Sequence, residues 1–99
     1  INEQDLYTIS YIVPNAQKND MEPIYVELQK GAKTGEIEPH EGEEFGYVLA
    51  GKVQLHYGDQ VYSLKKGQTF YIKGDKNHFL TNEDQTVAKV IWVSTPPSF

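Results

Sequence analysis

Turn-forming residues interrupt this chain every few positions, and this punctuation constrains the fold more than any other feature. Glycine, proline and Asn/Asp clusters separate short stretches that are rich in Val, Ile, Tyr, Phe and Thr. Such stretches are typical of β-strands, and Gly58-Asp59 between two of them is a two-residue hairpin signal. No segment shows a convincing helical pattern. The sequence therefore predicts many short strands and an all-β fold.

The stretches between the turns give the predicted strand boundaries. The strands are expected at residues 6–13, 24–29, 45–50, 52–57, 60–64, 69–73, 78–82 and 86–94. The polar segment 14–22 lies between Pro14 and Pro23 and predicts a loop or a single turn. Closely spaced strands without helices favour a β-sandwich or a barrel, and 99 residues fit one small domain.

Composition excludes several classes of function. The net charge is −5 with nine Lys and Arg and no basic cluster, so this segment is a poor candidate for direct contact with nucleic acid or an anionic membrane. The absence of cysteine excludes disulfides, thiolate metal sites and a catalytic thiol. No apolar run reaches the length of a membrane span and no signal peptide is visible, so a cytoplasmic location is expected.

The predicted strand near residues 44–50 is apolar on both faces. Alternation places Glu44 and Val48 on one face, and Phe45, Tyr47 and Leu49 on the other. A strand of this kind is covered on both sides, and a chain this small has little of its own to cover the second side. We therefore expect a homodimer.

Candidate ligands for a metal or a small molecule come from two separate parts of the chain. Glu38 and His40 share a face if their segment is extended, and Glu44 follows His40 after three intervening residues. His78 begins a later predicted strand, and Asn82 lies four positions on. Two histidines and one or two carboxylates from separate strands are a suitable set for a divalent transition metal.

Taken singly, each of these features also has a structural explanation. The acidic run 41–44 fits a solvated turn, His78 fits a hydrogen-bonded residue at a strand start, and Asn82 fits a strand-end cap. His56, on predicted strand 52–57, is expected to be exposed and has no assigned role.

The spacing of these residues resembles a known two-part motif. His40-x3-Glu44-x6-Gly51 followed by Gly67-x10-His78-x3-Asn82 is similar to the motif of the cupin superfamily. In motif terms the resemblance covers residues 31–82, and the strand rhythm extends it over 24–94.

The resemblance implies a small jelly-roll β-barrel, also called a double-stranded β-helix, in a single domain. On that basis residues 1–22 form an N-terminal strand and loop, 23–95 the barrel, and 96–99 a tail.

By the same resemblance the metal ligands are Glu38, His40, Glu44 and His78, and these line a small-molecule site with Asn82. The implied metal is Zn, Fe, Mn or Ni, although hydrogen bonds alone also satisfy these side chains. The chain departs from the family pattern in four respects, one of which is that the leading glycine is displaced. Glu38 stands in place of the first histidine, Lys73 in place of a proline, and Asp75 in place of a glycine.

A narrower resemblance covers the segment PHEGEEFGYVLAGKVQLHYGDQVYSLKKGQTFYIKGDKNHF and the ending VIWVSTPPSF. Both are similar to the C-terminal cupin sensor domain of XRE-type helix-turn-helix bacterial regulators. This implies a non-enzymatic, dimeric sensor that binds a small-molecule effector and has no catalytic residues. DNA contact is expected only through an N-terminal domain that is absent here, and the start at Ile1 agrees with a fragment.

Two other readings stay open. The first is a stand-alone metal-dependent cupin enzyme of the isomerase or dioxygenase type, and the second is a structural cupin with a degenerate site. If the domain is a sensor, its many carboxylates favour a cationic or metal-bridged effector such as an amine.

Overall fold

The computed structural model describes residues 6–99, and most of these residues lie in strands. The strands are β1 (Tyr7–Tyr11), β2 (Glu22–Leu28), β3 (Glu43–Ala50), β4 (Lys52–Tyr57), β5 (Gln60–Lys65), β6 (Thr69–Lys73), β7 (His78–Thr81) and β8 (Ala88–Thr95). Within the described range the only helical element is one 3-10 turn, Ala16–Lys18, which confirms the predicted single turn. The start of the predicted segment 1–22, residues 1–5, lies outside the described residues.

The strands form two antiparallel sheets that enclose the core. The larger sheet has the order β1-β2-β8-β3-β6, and the smaller sheet has the order β5-β4-β7. Strand faces alternate as the sequence predicts, because successive side chains of a strand point to opposite faces. The inward side chains form a single apolar cluster: Ile24, Val26, Leu28, Ala32, Val48, Val53, Leu55, Phe70, Ile72, Leu80, Ala88, Val90 and Trp92. This architecture confirms the predicted all-β jelly-roll class.

The predicted boundaries differ from the structure mainly at strand ends. β2 begins at Glu22 and includes Pro23, which was expected to precede the strand. The β1 ladder ends opposite Ile24, so a residue without an N–H is tolerated just beyond it. Among the described residues, no helix is long and apolar enough to cross a membrane.

The irregular segment between β2 and β3 runs along β7. Lys33 bridges Thr81, and Ile37 bridges His78, with backbone hydrogen bonds in both directions between Ile37 and His78. This segment leads directly to His40, so these bridges hold His40 beside the start of β7.

Candidate metal and ligand site

Three side chains that lie far apart in the sequence converge inside the barrel. Nε2 of His40 lies 2.8 Å from Oε2 of Glu44, and Nε2 of His78 lies 2.7 Å from the same oxygen. One ligand atom from each residue lies within 4.8 Å of the others, which is a separation that a single metal ion can span. The structure therefore brings together three of the four predicted metal ligands.

Each of the three side chains comes from a different element of the fold. Glu44 is on the inward face of β3 and is 1% exposed, as alternation predicts. His78 is the first residue of β7 and is fully buried. His40 precedes β3 in a loop, and its N–H donates to the carbonyl of Gly74 at 2.6 Å.

Gly74 also makes room for the His40 ring. A Cβ atom at this position would lie 2.6 Å from Cε1, 2.8 Å from Nε2 and 2.9 Å from Nδ1 of His40. Real Cβ contacts are not this short, so any larger residue would displace the imidazole. The family resemblance pointed to position 75 for a glycine, whereas in this chain Gly74, one residue earlier, provides the space.

The hydrogen bonds of the two imidazoles fix which nitrogen faces Glu44. Nδ1 of His40 lies 2.8 Å from the carbonyl of Glu41, and Nδ1 of His78 lies 2.8 Å from the carbonyl of Lys76. A carbonyl oxygen only accepts, so each Nδ1 carries a hydrogen. In the neutral imidazoles both Nε2 lone pairs then point at a carboxylate oxygen. Three electron-rich atoms in this arrangement require a proton or a cation between them.

Trp92 holds the second oxygen of the carboxylate. Its Nε1–H donates to Oε1 of Glu44 at 2.7 Å, so Oε1 and Oε2 have separate partners. The indole is itself held by edge contacts with Phe70 and Phe99, at ring-centroid distances of 6.0 Å and 5.1 Å. The carboxylate is therefore oriented before any ligand arrives.

The electrostatics of the group favour an ion pair. Burial acts to raise the pKa of Glu44, but hydrogen bonds from His78, His40 and Trp92 outweigh it and lower the pKa. Burial acts to lower the pKa of His78, but the bonds to Glu44 and to the Lys76 carbonyl outweigh it and raise the pKa. Both shifts favour a charged Glu44 carboxylate beside a protonated His78.

The other predicted site residues lie elsewhere. Glu38 is exposed and is not part of the group formed by His40, Glu44 and His78. Asn82 is fully buried, but its amide donates to the carbonyls of Leu28 and Thr86, and its Oδ1 accepts from the N–H of Asp84. The side chain of Asn82 thus holds a loop together in this structure.

Glu41 is exposed, as expected of a solvated turn, whereas Glu43 is the first residue of β3, is half-buried and accepts the Tyr71 hydroxyl. Of the glutamates at positions 38–44, only Glu44 is buried, so the expectation of a cationic effector loses its basis in clustered carboxylates. His56 was expected to be exposed, and this was wrong. It is half-buried, stacks on Phe79 at 4.4 Å and bonds to the Thr81 hydroxyl.

Sequence reasoning missed Trp92 and Gly74. Trp92 is the only tryptophan and its parity with Val90 would have pointed it inward, but the pairing of β8 with β3 was needed to place it over Glu44. Gly74 looked like an ordinary turn glycine, and only the tertiary approach of His40 shows its role.

Comparison with known proteins identifies related sequences and folds. The Cupin_2 family model (cupin domain) matches residues 24–94. The chain is 32% identical over 106 aligned residues to the HTH-type transcriptional regulator PuuR of Escherichia coli K12, with all of this chain aligned. It spans 57% of the length of that relative.

Solved structures support the same fold. The Cupin_2 domain of an XRE family transcriptional regulator from Enterobacter cloacae superposes with a TM-score of 0.82 at 20% identity, covering 94% of this chain and 99% of that one. A predicted oxalate decarboxylase from Thermotoga maritima gives a TM-score of 0.79 at 18% identity, covering 90% and 79% of the two chains. At these identities the likeness shows the fold alone.

Proposed function

Because this chain belongs to the cupin domain family, we propose that it is the ligand-sensing domain of a cytoplasmic DNA-binding transcriptional regulator. Its relationship to an HTH-type regulator, which covers all of this chain and 57% of that relative, supports a regulatory role over an enzymatic one. The family relationship does not identify the ligand, so the site itself must supply that information.

The observation that carries the proposal is the arrangement of the histidines around one buried carboxylate. Both Nδ1 atoms donate to backbone carbonyls, and both Nε2 atoms face Oε2 of Glu44. Metal-bound histidines commonly have this arrangement, in which the outer nitrogen is held by a carbonyl and the inner one is free to bind. The donor set therefore fits a divalent metal.

We infer that His40, Glu44 and His78 hold Zn, Fe, Mn or Ni. Imidazole and carboxylate ligands discriminate poorly among these four metals. A metal with three protein ligands would supply a Lewis-acidic centre with room for a ligand atom. Glu38 and Asn82 lie outside this set, so our proposal assigns the metal to three residues.

Sensing requires that the effector bind one state of the regulator better than another. In a homodimer, a change at the barrel can alter the relative position of two DNA-binding heads supplied by the rest of the protein. This step needs the whole regulator, because the described residues include no DNA-binding element.

The metal site is tested by metal analysis and by titration of the metal-free domain with each ion, using the fluorescence of Trp92 as the reporter. We expect His78→Gln to lose binding and His56→Gln, a half-buried histidine outside the group, to retain it. Equal metal content in both variants would exclude the histidine site.

The regulatory role is tested with the full-length protein. A ligand that raises the melting temperature of the protein is added to a complex with DNA from the promoter region of its own gene. We expect its affinity for DNA to change at least about fivefold, the lower range of typical coupling between sites. A full-length protein that never binds DNA contradicts the proposal.

A metal-dependent enzyme is the second candidate, and the His–Glu–His group is the observation that favours it. The similarity in fold to a predicted oxalate decarboxylase suggests oxalate as the first substrate to assay, with the protein loaded with Mn²⁺. The Tyr57 ring lies 6.5 Å from the His78 ring, but the hydrogen bond of its hydroxyl to Asp75, together with burial, raises the pKa of Tyr57 to about 12. At neutral pH it is therefore a poor general base.

A further inference from the structure

Two lysines from neighbouring strands meet on the outer face of the smaller sheet. Lys52 begins β4 and Lys65 ends β5, and the two residues pair directly across the ladder. Like charges in directly opposite positions destabilise an antiparallel strand pair. Both side chains are exposed, and within residues 6–99 neither forms a salt bridge. The fold therefore holds two cations side by side without a carboxylate to neutralise them.

The two lysines border a surface depression of about 410 Å³, which we name the lysine depression. Its lining is Lys52, Gln54, Ser63, Leu64, Lys65 and Gln68. Gln54 pairs with Ser63 and shares the outer face with the two lysines, because alternate residues of a strand point the same way. Val53 and Leu55, on the opposite face of β4, are buried in the core. The polar side chains of the strands thus lie together on the surface.

The two glutamines of the lining use their oxygen atoms within the protein. Oε1 of Gln54 accepts the N–H of Glu83 at 3.3 Å. Oε1 of Gln68 accepts the N–H of Lys65 at 2.9 Å. Among the described residues neither Nε2 has an acceptor, and an NH2 group only donates. The depression therefore offers amide and ammonium donors together.

Lysines outnumber carboxylates around the depression. No carboxylate belongs to its lining, and Glu83 meets it through its backbone N–H. The next acidic side chain, Asp84, accepts the Thr86 hydroxyl within its own loop. Lys66, which follows Lys65, is also exposed. Lysine, glutamine and serine side chains are among those that contact phosphate oxygens in nucleic acids, so this set of donors suits a phosphate group.

The depression lies at the end of the barrel opposite the metal site. β4 runs from Lys52 to Tyr57, and Tyr57 pairs with His78 at the metal site. At the opposite end β2 and β3 finish and β4 and β8 begin, and here the carbonyl of Leu6 accepts the N–H of Gln29. In the regulator proposed above, the DNA-binding part precedes this domain. It would therefore join the barrel at the end that carries the depression.

We propose that the lysine depression binds a phosphate of the DNA backbone when the whole regulator is on DNA. This inference rests on the proposed function, and the contact adds to those of the DNA-binding heads without reading sequence. An accessible ion pair is weak alone, but DNA already held by the heads is present at a high effective concentration. The expectation that this segment avoids DNA rested on lysines that are scattered in the sequence, and the fold brings two of them together.

The test is the salt dependence of DNA binding by the full-length protein. Fluorescence anisotropy measures its affinity for DNA from the promoter region of its own gene at several salt concentrations. The double variant Lys52→Gln, Lys65→Gln should bind about fivefold more weakly at low salt, the effect of losing two accessible ion pairs. The slope of log affinity against log salt concentration should become shallower by about 0.9, the value for one lost phosphate contact.

Two further variants serve as controls. Lys18→Gln with Lys76→Gln removes the same charge near the metal end of the barrel, and it should leave the slope unchanged. Lys65→Glu places a carboxylate opposite Lys52, which favours the strand pair. Its melting temperature should therefore equal or exceed that of the wild type while its affinity for DNA falls, which separates the DNA contact from folding.

The outcomes distinguish this inference from the proposed function. If the wild type binds DNA and the slope is unchanged in Lys52→Gln, Lys65→Gln, or changes equally in both double variants, the phosphate contact is overturned and the regulator stands. A wild type that never binds DNA contradicts both proposals. The full-length protein is also melted with inorganic phosphate. A stabilisation that the Lys52→Gln, Lys65→Gln variant loses, together with an unchanged slope, would assign the depression to a small phosphate ligand and overturn the DNA contact.

Discussion

Glu44 is the residue on which the candidate site depends, because its two oxygens serve different partners. Oε1 accepts from Trp92, and Oε2 faces both histidines. A buried carboxylate is costly unless it is fully hydrogen-bonded. The same bonds that make its burial tolerable also aim one oxygen at the metal position.

Removing the indole donor tests this division. Trp92→Phe keeps an aromatic ring in the core but leaves Oε1 of Glu44 without its donor. We expect the free energy of unfolding of the metal-free domain to fall by ~1.5–3 kcal/mol, the range for a hydrogen bond to a charged group. Urea denaturation followed by circular dichroism measures it.

The matched control is Tyr25→Phe, which removes a hydroxyl bonded to the carboxylate of Glu27 on the outer face of the sheet. Because that pair is accessible to water, we expect a loss below ~1 kcal/mol. Equal losses of unfolding free energy in the two variants would show that the hydrogen bond from Trp92 to buried Glu44 is no stronger than an accessible one.

The pKa shifts of the same group set a pH dependence for the metal-free domain. The lowered pKa of Glu44 contributes stability above its ordinary value of 4.5, and this is lost as pH falls through the folded pKa. The raised pKa of His78 contributes stability below its ordinary value of 6.5, and this is lost as pH rises through the folded pKa. The pair therefore stabilises the fold most between these two values.

Melting temperatures measured across this range in the presence of a chelator test the prediction. His78→Gln should flatten the maximum between the two pKa values, whereas His56→Gln should leave it in place. A wild-type profile that rises steadily from pH 5 to 8 is the opposite result.

At the scale of the elements, the site depends on two loops that meet. The loop before β3 carries His40, and the turn after β6 carries Gly74, whose N–H donates to the carbonyl of Gly42 at 2.9 Å. The backbone hydrogen bonds between the loop and the turn fix the position of His40 relative to His78. A side chain at Gly74 would meet the His40 ring first, because the three atoms nearest to an added Cβ all belong to His40.

Gly74→Ala is therefore expected to weaken metal binding by about 10–100-fold, the range for residues that orient a ligand. Competition with a chromophoric chelator measures the affinity. Gly35→Ala is the control, because the added Cβ would meet only the Tyr7 hydroxyl at an ordinary 3.7 Å. If both variants bind metal like the wild type, the Gly74 contact does not position His40.

The elements themselves were largely predictable from the sequence. Alternating apolar residues and turn glycines located the eight strands of residues 6–99, since period-two patterns are a local property. Alternation also turned Glu44 inward and left Phe45 and Tyr47 outside. Such patterns fix the face of a strand but not its neighbour in the sheet.

Local sequence patterns could not predict which distant segments of the chain lie in contact. Glu38 shares a predicted face with His40 only if the chain is extended there, and the structure has an irregular loop instead. Trp92 reaches Glu44 because β8 lies beside β3, which is a non-local pairing. The motif spacing identified His40, Glu44 and His78, which the structure brings together. Only the tertiary fold shows that Glu38 and Asn82 lie outside this group.

At the scale of the whole molecule, the outer face of the larger sheet carries exposed apolar side chains near the site. Phe45 and Tyr47 are 38% and 40% exposed, and they pair with Val93 and Ile91 of the neighbouring strand β8. Contiguous apolar patches of this kind mark interaction surfaces. A second copy is the occupant that we propose, because a two-fold axis lets one such face cover another.

The prediction is that Tyr47→Glu shifts the domain from dimer to monomer, since the partner's apolar face would have to bury a carboxylate. Sedimentation velocity at several concentrations measures the shift. Val61→Glu is the matched control: Val61 is 57% exposed, but it lies on β5 in the smaller sheet. We expect it to remain dimeric. A monomeric wild type, or equal dissociation of the two variants, would remove the larger sheet as the interface and with it the proposed route from barrel to DNA-binding heads.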